Sequence, residues 1–339
     1  MYKSRAPLRL GLAGGGTDVS PYSDEYGGAV LNATINLYTY ATIKERNDGK
    51  IVIKADDMNE EFECSLAGEI DLNGSLHLHK GVYNRIVKDF IKKPLSFELI
   101  TASDAPPGSG LGTSSTMVVT IIGAFIEWLK IPLNKAEIAR LAYEIERVDL
   151  EMEGGKQDQY AATYGGMNFM EFAKGNQVNI TPVEILPTTL NELENKLLLY
   201  NTDTSRVSAE IIKNQTEQIK QHRATSIQAM DSLKEQAYLM KYALTNDNLD
   251  KIAVILDQGW ENKKQLATGI TNSQLDKIYE AAKNAGATGG KISGAGGGGF
   301  FFFYCPNGTQ EQVKHALSNF GGRVRNYQFT KDGLTTWSV

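Results

Sequence analysis

The chain has 339 residues, of which 41% are hydrophobic and 22% charged, with a net charge of −5. That length predicts two domains, and the composition excludes a disordered chain. The negative charge argues against nucleic acid or an anionic membrane as partner, while a few local Lys or Arg residues remain able to hold an anionic small molecule.

At the N-terminus, Lys3, Arg5 and Arg9 are followed only by Leu10, Leu12 and Ala13 before a glycine run, so no secretory segment is expected. The longest apolar stretch, Met117 to Ile126, is too short to span a bilayer. A cytoplasmic protein is predicted, with Cys64 and Cys305 as reduced apolar fillers. His77 and His79 alternate as in a strand or loop, and the metal-ligand reading carries little weight. Tyr38 to Ile43 and Ile51 to Ile53 read as strands around the turn Asn47-Asp48-Gly49. Leu95, Phe97 and Leu99 mark a half-buried strand running toward Ser103.

Residues Ser114 to Leu129 form a helix that is apolar on nearly all sides and should be buried. A second helix over Lys135 to Met152 has Ile138, Leu141, Ala142, Ile145 and Val148 as its inner stripe. The polar run Ile185 to Asn195 is the candidate boundary, giving domains 1–185 and 186–339. Beyond it come a buried strand at Leu197 to Tyr200, a helical region over 207–284, and a glycine run leading into the strand Phe300 to Tyr304. The second half therefore reads as α+β.

Three segments carry the residue types of phosphate chemistry. In Pro107-Gly108-Ser109-Gly110-Leu111-Gly112-Thr113-Ser114-Ser115, glycine at every second position lets the backbone expose N–H groups just before a buried helix start. That start adds partial positive charge and unpaired donors, which suits a phosphate cradle. A flexible loop with ordinary serine caps is the competing interpretation. The loop lacks the Lys of a Walker motif, and the protein-kinase signatures are missing.

The second segment holds Glu146 and Asp158. One carboxylate for Mg and one near the attacking hydroxyl is what phosphoryl transfer asks for. Taken alone, they read as structural, a solvated helix face and a helix cap. The third segment is Ser293 to Gly299, whose Gly294, Gly296 and Gly299 match GxGxxG but precede a strand, which excludes a dinucleotide fingerprint.

In order and spacing these segments resemble the galactokinase, homoserine kinase, mevalonate kinase and phosphomevalonate kinase superfamily. Pro107 to Ser114 are similar to its central motif, and Lys291 to Gly299 to its C-terminal one. Ala6-Pro7-Leu8-Arg9 with Gly14-Gly15-Gly16-Thr17-Asp18 are similar to its N-terminal one. The resemblance implies a two-domain α+β fold. Its first domain would hold a left-handed βαβ unit of the ribosomal-protein domain-2 type, and its second would be ferredoxin-like.

It also implies ATP and Mg2+ as cofactors. Gly108 to Gly112, with Pro107, Thr113 and Ser115, would wrap the phosphates, braced by Gly294, Gly296 and Gly297. Ser114 and Glu146 would ligate Mg2+, Asp158 would be the base, and Arg9 would orient it. Asp18, with Gly15, Gly16 and Thr17, would meet the sugar.

Gly15-Gly16 stand where sugar kinases carry Glu-His, which departs from galactokinase and makes room for a longer acceptor. The pattern is most similar to the branch of heptose-phosphate kinases, which implies phosphorylation of an anomeric oxygen on the way to a GDP-activated heptose for surface polysaccharide. The distal phosphate would meet Lys156 and Arg206. Kinases for fucose, arabinose or a uronic acid, and a non-catalytic sugar and ATP sensor, are the alternatives. The expected partner is a sugar phosphate, with neither nucleic acid nor membrane, in a monomer or homodimer.

Overall fold

The computed structural model describes residues 1–175, 177–204, 208–221 and 224–339. The chain starts with strand β1 (Tyr2–Ala13), a short helix α1 (Tyr22–Tyr26) and the long strand β2 (Gly28–Glu45). A hairpin of β3 (Lys50–Ala55) and β4 (Glu60–Ser65) comes next, then helix α2 (His77–Ile86), widened into a π turn over Val87–Ile91. His77 and His79 thus open a helix rather than a strand, and burial lowers the pKa of His79 to about 4.

Strand β5 (Phe97–Ser103) leads through the first glycine loop into α3 (Thr113–Leu129). Next come α4 (Lys135–Glu144), α5 (Gln157–Tyr164), β6 (Met167–Ala173) and β7 (Gln177–Pro182). The C-terminal strand β12 (Thr335–Ser338) completes an eight-stranded sheet in the order β12-β1-β2-β5-β3-β4, with β6 attached to β2 and β7 to β6. The pair β3–β5 is parallel. The last strand pairs with β1, so the chain's end crosses the expected division at 185/186 and returns to the first sheet.

In α3 every residue from Thr113 to Phe125 is buried except Ser114, the outcome that its apolar circumference predicts. Its Phe125 meets Phe97 edge-on, with ring centroids 5.4 Å apart, inside a core shared with α2 and β5.

Helix α4 is started by a capping box, in which Asn134 accepts from the Glu137 N–H and Glu137 from the Asn134 N–H. It does not run on to Met152 as a regular helix. From Ile145 to Asp149 it widens into a π turn, closed by Leu150 N donating to Ile145 O at 3.0 Å. One extra residue in the turn rotates the side chains of this stretch: Val148, expected inside, is 63% exposed, and Glu146 is 1% exposed. Such insertions are frequent at functional sites.

The predicted boundary is a helix, α6 (Pro187–Lys196), with Pro187 at its first position. Beyond it lie β8 (Leu197–Asn201), α7 (Ser208–Lys220), α8 (Ala224–Thr245), α9 (Leu249–Lys264) and α10 (Ser273–Asn284). Strands β9 (Gly289–Ile292) and β10 (Phe300–Tyr304), α11 (Gln310–Leu317) and β11 (Arg323–Arg325) complete a second sheet.

That sheet is antiparallel, in the order β11-β8-β10-β9, with helices after β8 and after β10. This is the split βαβ arrangement of ferredoxin-like domains. Strand β10 explains its own composition: Phe300, Phe302 and Tyr304 pack toward the first sheet's Leu8, Leu10 and Leu12, while Phe301 and Phe303 pack under Trp260 and Tyr279. A strand covered on both faces cannot alternate. The same packing brings the two glycine loops together.

Candidate active site

A cleft of about 500 Å³ lies where the two halves meet. Its centre is Arg9, near the end of β1 and 4% exposed. The guanidinium Nε and Nη2 both lie 2.7 Å from Asp158 Oδ1, and Nη1 donates to Gly110 O at 2.6 Å and to Ser293 Oγ at 3.3 Å. One side chain therefore ties the acidic start of α5 to both glycine loops, using the planar fork that Lys lacks.

The loops touch backbone to backbone. A Cβ on Gly110 would sit 2.3 Å from Ser293 O, and one on Gly294 would sit 2.6 Å from Gly110 Cα. Gly110 also has φ +80°, a left-handed conformation that glycine adopts freely. Pro107, Gly108, Gly112, Thr113, Ser114 and Ser115 border the cleft around the start of α3.

Other predicted loop residues have different duties. Leu111 is fully buried in the core. Ser109 is 3% exposed, bonds Thr113 Oγ1 at 3.0 Å and accepts from Phe300 N. Gly296 and Gly297 pack against Ile270, which accepts from Gly297 N at 2.8 Å, so they shape the second loop from behind.

Both carboxylates converge on the helix start. Asp158 Cγ would lie 3.1 Å from a Cβ on Gly112. Glu146, turned inward by the π turn, accepts from Ser115 Oγ at 3.0 Å and from Gln159 Nε2 at 2.5 Å, with Arg147 Nη1 at 3.8 Å. Ser115 rather than Ser114 bonds Glu146, and Ser114 is the one residue between Thr113 and Phe125 that is not buried.

On the sugar side, Gly15, Gly16 and Asp18 border the cleft, and Asp18 is also bound from within the protein. Asp18 Oδ1 accepts from Gly16 N and Gln157 Nε2, and Oδ2 from Lys156 N and Gln157 N, all at 3.0–3.1 Å. A carboxylate has about four acceptor positions, and the protein uses all of them. Asp18 therefore caps α5 from a distance and fixes the helix that carries Asp158. Gly155 permits this approach, because a Cβ there would lie 1.9 Å from Asp18 Oδ2.

Thr17 is fully buried and bonds Gly14 O and Ala29 O, which closes its own loop instead of facing a ligand. Gly15 and Gly16 border the cleft beside Gln215, whose Nε2 donates to Gly16 O at 3.3 Å.

Lys156 does not reach the cleft. It is 2% exposed, and its ammonium bonds Asp24 Oδ1 at 3.1 Å and Ser23 Oγ at 3.4 Å, which fastens α1. Arg206 lies outside the described residues. Lys156→Met should leave the KM for the acceptor within twofold and lower stability by roughly 1–2 kcal/mol, since Asp24 keeps much of its solvent. Steady-state kinetics beside a urea melt checks both halves.

Sequence reasoning passed over Arg147, Lys263 and Lys291, three cations that line the same cleft. Lys291 at least opens the C-terminal glycine motif. Lys263 carries no signal, because a Lys near the end of an amphipathic helix reads as surface.

Residues 77–166 match the GHMP kinases N terminal domain, and residues 240–323 the GHMP kinases C terminal domain. The chain is 46% identical over 337 residues, 99% of each protein, to the D-glycero-alpha-D-manno-heptose 7-phosphate kinase of Campylobacter jejuni subsp. jejuni serotype O:2. It is 29% identical over 305 residues to the bifunctional fucokinase/GDP-fucose pyrophosphorylase of Arabidopsis thaliana, covering 87% of this chain and 29% of that one.

A crystal structure of a D-glycero-D-manno-heptose 1-phosphate kinase from Bacteriodes thetaiotaomicron superposes with TM-score 0.86 at 45% identity, over 100% of this chain and 99% of the other. With paired glycine loops closing on a buried arginine–aspartate pair, the chain belongs to the GHMP kinase family and is an ATP-dependent kinase.

Proposed function

We propose that the protein transfers the γ-phosphoryl group of Mg-ATP to the anomeric hydroxyl of D-glycero-D-manno-heptose 7-phosphate. The observation that carries the chemistry is the placement of Asp158. Its carboxylate is fixed by Arg9 and lies against Gly112 at the start of α3, where a terminal phosphate would sit.

An anomeric hydroxyl is more acidic than an ordinary alcohol, so Asp158 needs only to accept its proton as the bond to phosphorus forms. Arg9 keeps that carboxylate aimed and offsets charge that builds on the transferring group. The backbone N–H groups of residues 108–112 and the α3 terminus receive the phosphates.

Glu146 and the Ser114 hydroxyl, with Ser115 behind them, fit Mg2+, an ion that takes one or two protein oxygens and completes its shell with phosphate and water. When bound it would neutralise phosphate charge. The heptose phosphate acceptor is supported by the full-length likeness to the Campylobacter enzyme. The 29% likeness to a fucokinase favours fucose as the second candidate. No helix among the described residues is long and apolar enough to cross a membrane.

The test is ATP consumption with heptose 7-phosphate, heptose 1-phosphate, heptose, fucose, mannose and galactose, with phosphorus NMR of the product. Heptose 7-phosphate should have the highest kcat/KM, by at least ~10-fold, and yield a 1,7-bisphosphate. A higher kcat/KM for fucose would replace this reading, and preference for heptose 1-phosphate would reverse which end is phosphorylated.

A further inference from the structure

The second-domain wall of the cleft holds two lysines that have no carboxylate bonded to them among the described residues. Lys263, at the end of α9, is 4% exposed, and Lys291, in β9, is 3% exposed; both border the cleft. A buried ammonium ordinarily has an anion beside it. Here the hydrogen-bond acceptor of Lys263 is the carbonyl of Gly294, and Lys291 has no carboxylate partner among the described residues.

Of the four acids that border the cleft, Glu153 is exposed and is not among the charges that act on either lysine, and the other three are engaged elsewhere. Asp158 faces Arg9, Asp18 is filled by four N–H groups, and Glu146 is held by Ser115 and Gln159. The charges that act on Lys291 are those of Lys263 and Arg9, both positive. Burial, reinforced by these cations, holds Lys291 well below the ordinary lysine range, and burial with Arg9 brings Lys263 to about 8.

Among the described residues, three cations gather here with Asp158 as their one bonded carboxylate, and this describes a place for an anion that arrives with a ligand. It lies on the second-domain side of the seam between the glycine loops, where Lys263 bonds Gly294 O. Asp18 and Asp158 are the carboxylates whose charge reaches Lys263, and Glu146 is not among them. Both lysines border the cleft on its second-domain wall, with Lys263 near the carboxylates of Asp18 and Asp158.

We propose that Lys263 and Lys291 form a second phosphate subsite, on the second-domain wall of the cleft, which binds the phosphate monoester carried by the sugar. The assignment rests on the reading of the acceptor as a sugar phosphate. It makes the two lysines determinants of specificity: they reject an unphosphorylated sugar because it leaves both ammonium groups buried and unpaired.

The test uses the full chain with Lys263→Met, Lys291→Met and the double substitution, varying heptose 7-phosphate and ATP separately. Each single variant should raise the KM for heptose 7-phosphate at least ~10-fold while the KM for ATP stays within threefold. Methionine fills the same volume without needing an anion, so the melting temperature of the ligand-free variants should hold or rise. A residue with a purely structural role would lower it.

In the wild type, affinity for the sugar phosphate should fall from pH 7 to pH 9. Lys263, facing Arg9, Lys291, Asp18 and Asp158, loses its proton there while the phosphate is already dianionic. The double variant should lack that slope.

Unchanged KM for the sugar phosphate in both single variants overturns the subsite. A rise in the KM for ATP instead assigns the lysines to the nucleotide and overturns the acceptor claim. If wild-type protein does not turn over heptose 7-phosphate, the functional reading fails by itself. Inorganic phosphate then decides the subsite alone: it should stabilise the wild type against heat and leave the double variant unmoved, and equal shifts would refute it.

Discussion

Asp158→Asn lowers kcat by about 10³-fold and leaves ATP affinity within threefold of wild type. The amide keeps the shape and the acceptor oxygen that Arg9 Nε holds at 2.7 Å, so the loops that Arg9 ties together stay in register. What it loses is the ability to take a proton at the moment phosphorus is attacked. Single-turnover kinetics with a separate equilibrium titration of ATP measures the two effects apart. A variant that keeps more than a tenth of the wild-type rate would show that the hydroxyl needs no acceptor at this position, and Asp158 would then be a positioning residue alone.

Gly110→Ala weakens ATP binding at least ~10-fold and destabilises the fold by roughly 2–4 kcal/mol. The added methyl meets Ser293 O at 2.3 Å, and both partners are backbone, so relief requires the two glycine loops to separate. That separation also pulls Gly110 O from Arg9. Gly49→Ala is the control: its φ of +70° strains a side chain, but nothing lies within 4 Å of the new atom. It should cost about 1 kcal/mol and leave nucleotide affinity alone. Equal effects of the two substitutions would mean that loop contact contributes nothing beyond backbone strain.

The structure sorts what local pattern can carry from what it cannot. The buried helix of the cleft was legible because an apolar circumference has one outcome, and α3 begins within one residue of the expected start. The strand at Phe300 was legible for a similar reason: an unbroken aromatic run needs apolar cover on both faces. The inner stripe of the helix after α3 was misread at Val148 because a regular repeat assumes regular turns. A single inserted residue at the π turn reverses which of Glu146 and Val148 faces inward. Charged residues were harder still, since Lys156, Lys263 and Lys291 have no local pattern that separates a surface lysine from a buried one.

By itself, the order of residues determined which backbone segments could approach phosphates: glycines at alternate positions, a helix start stripped of side-chain bulk, and the spacing that marks the family. Only the tertiary structure decided what each charge does. Asp18 was spent on α5, Lys156 on Asp24, and Glu146 was turned toward Ser115, while two lysines from a helix and a strand were left facing Arg9. The physical reason is range. Backbone conformation answers to neighbours within a few residues, whereas the partner of a buried charge is chosen by segments far apart in the chain, as with Arg9 and Asp158, which are separated by 149 positions.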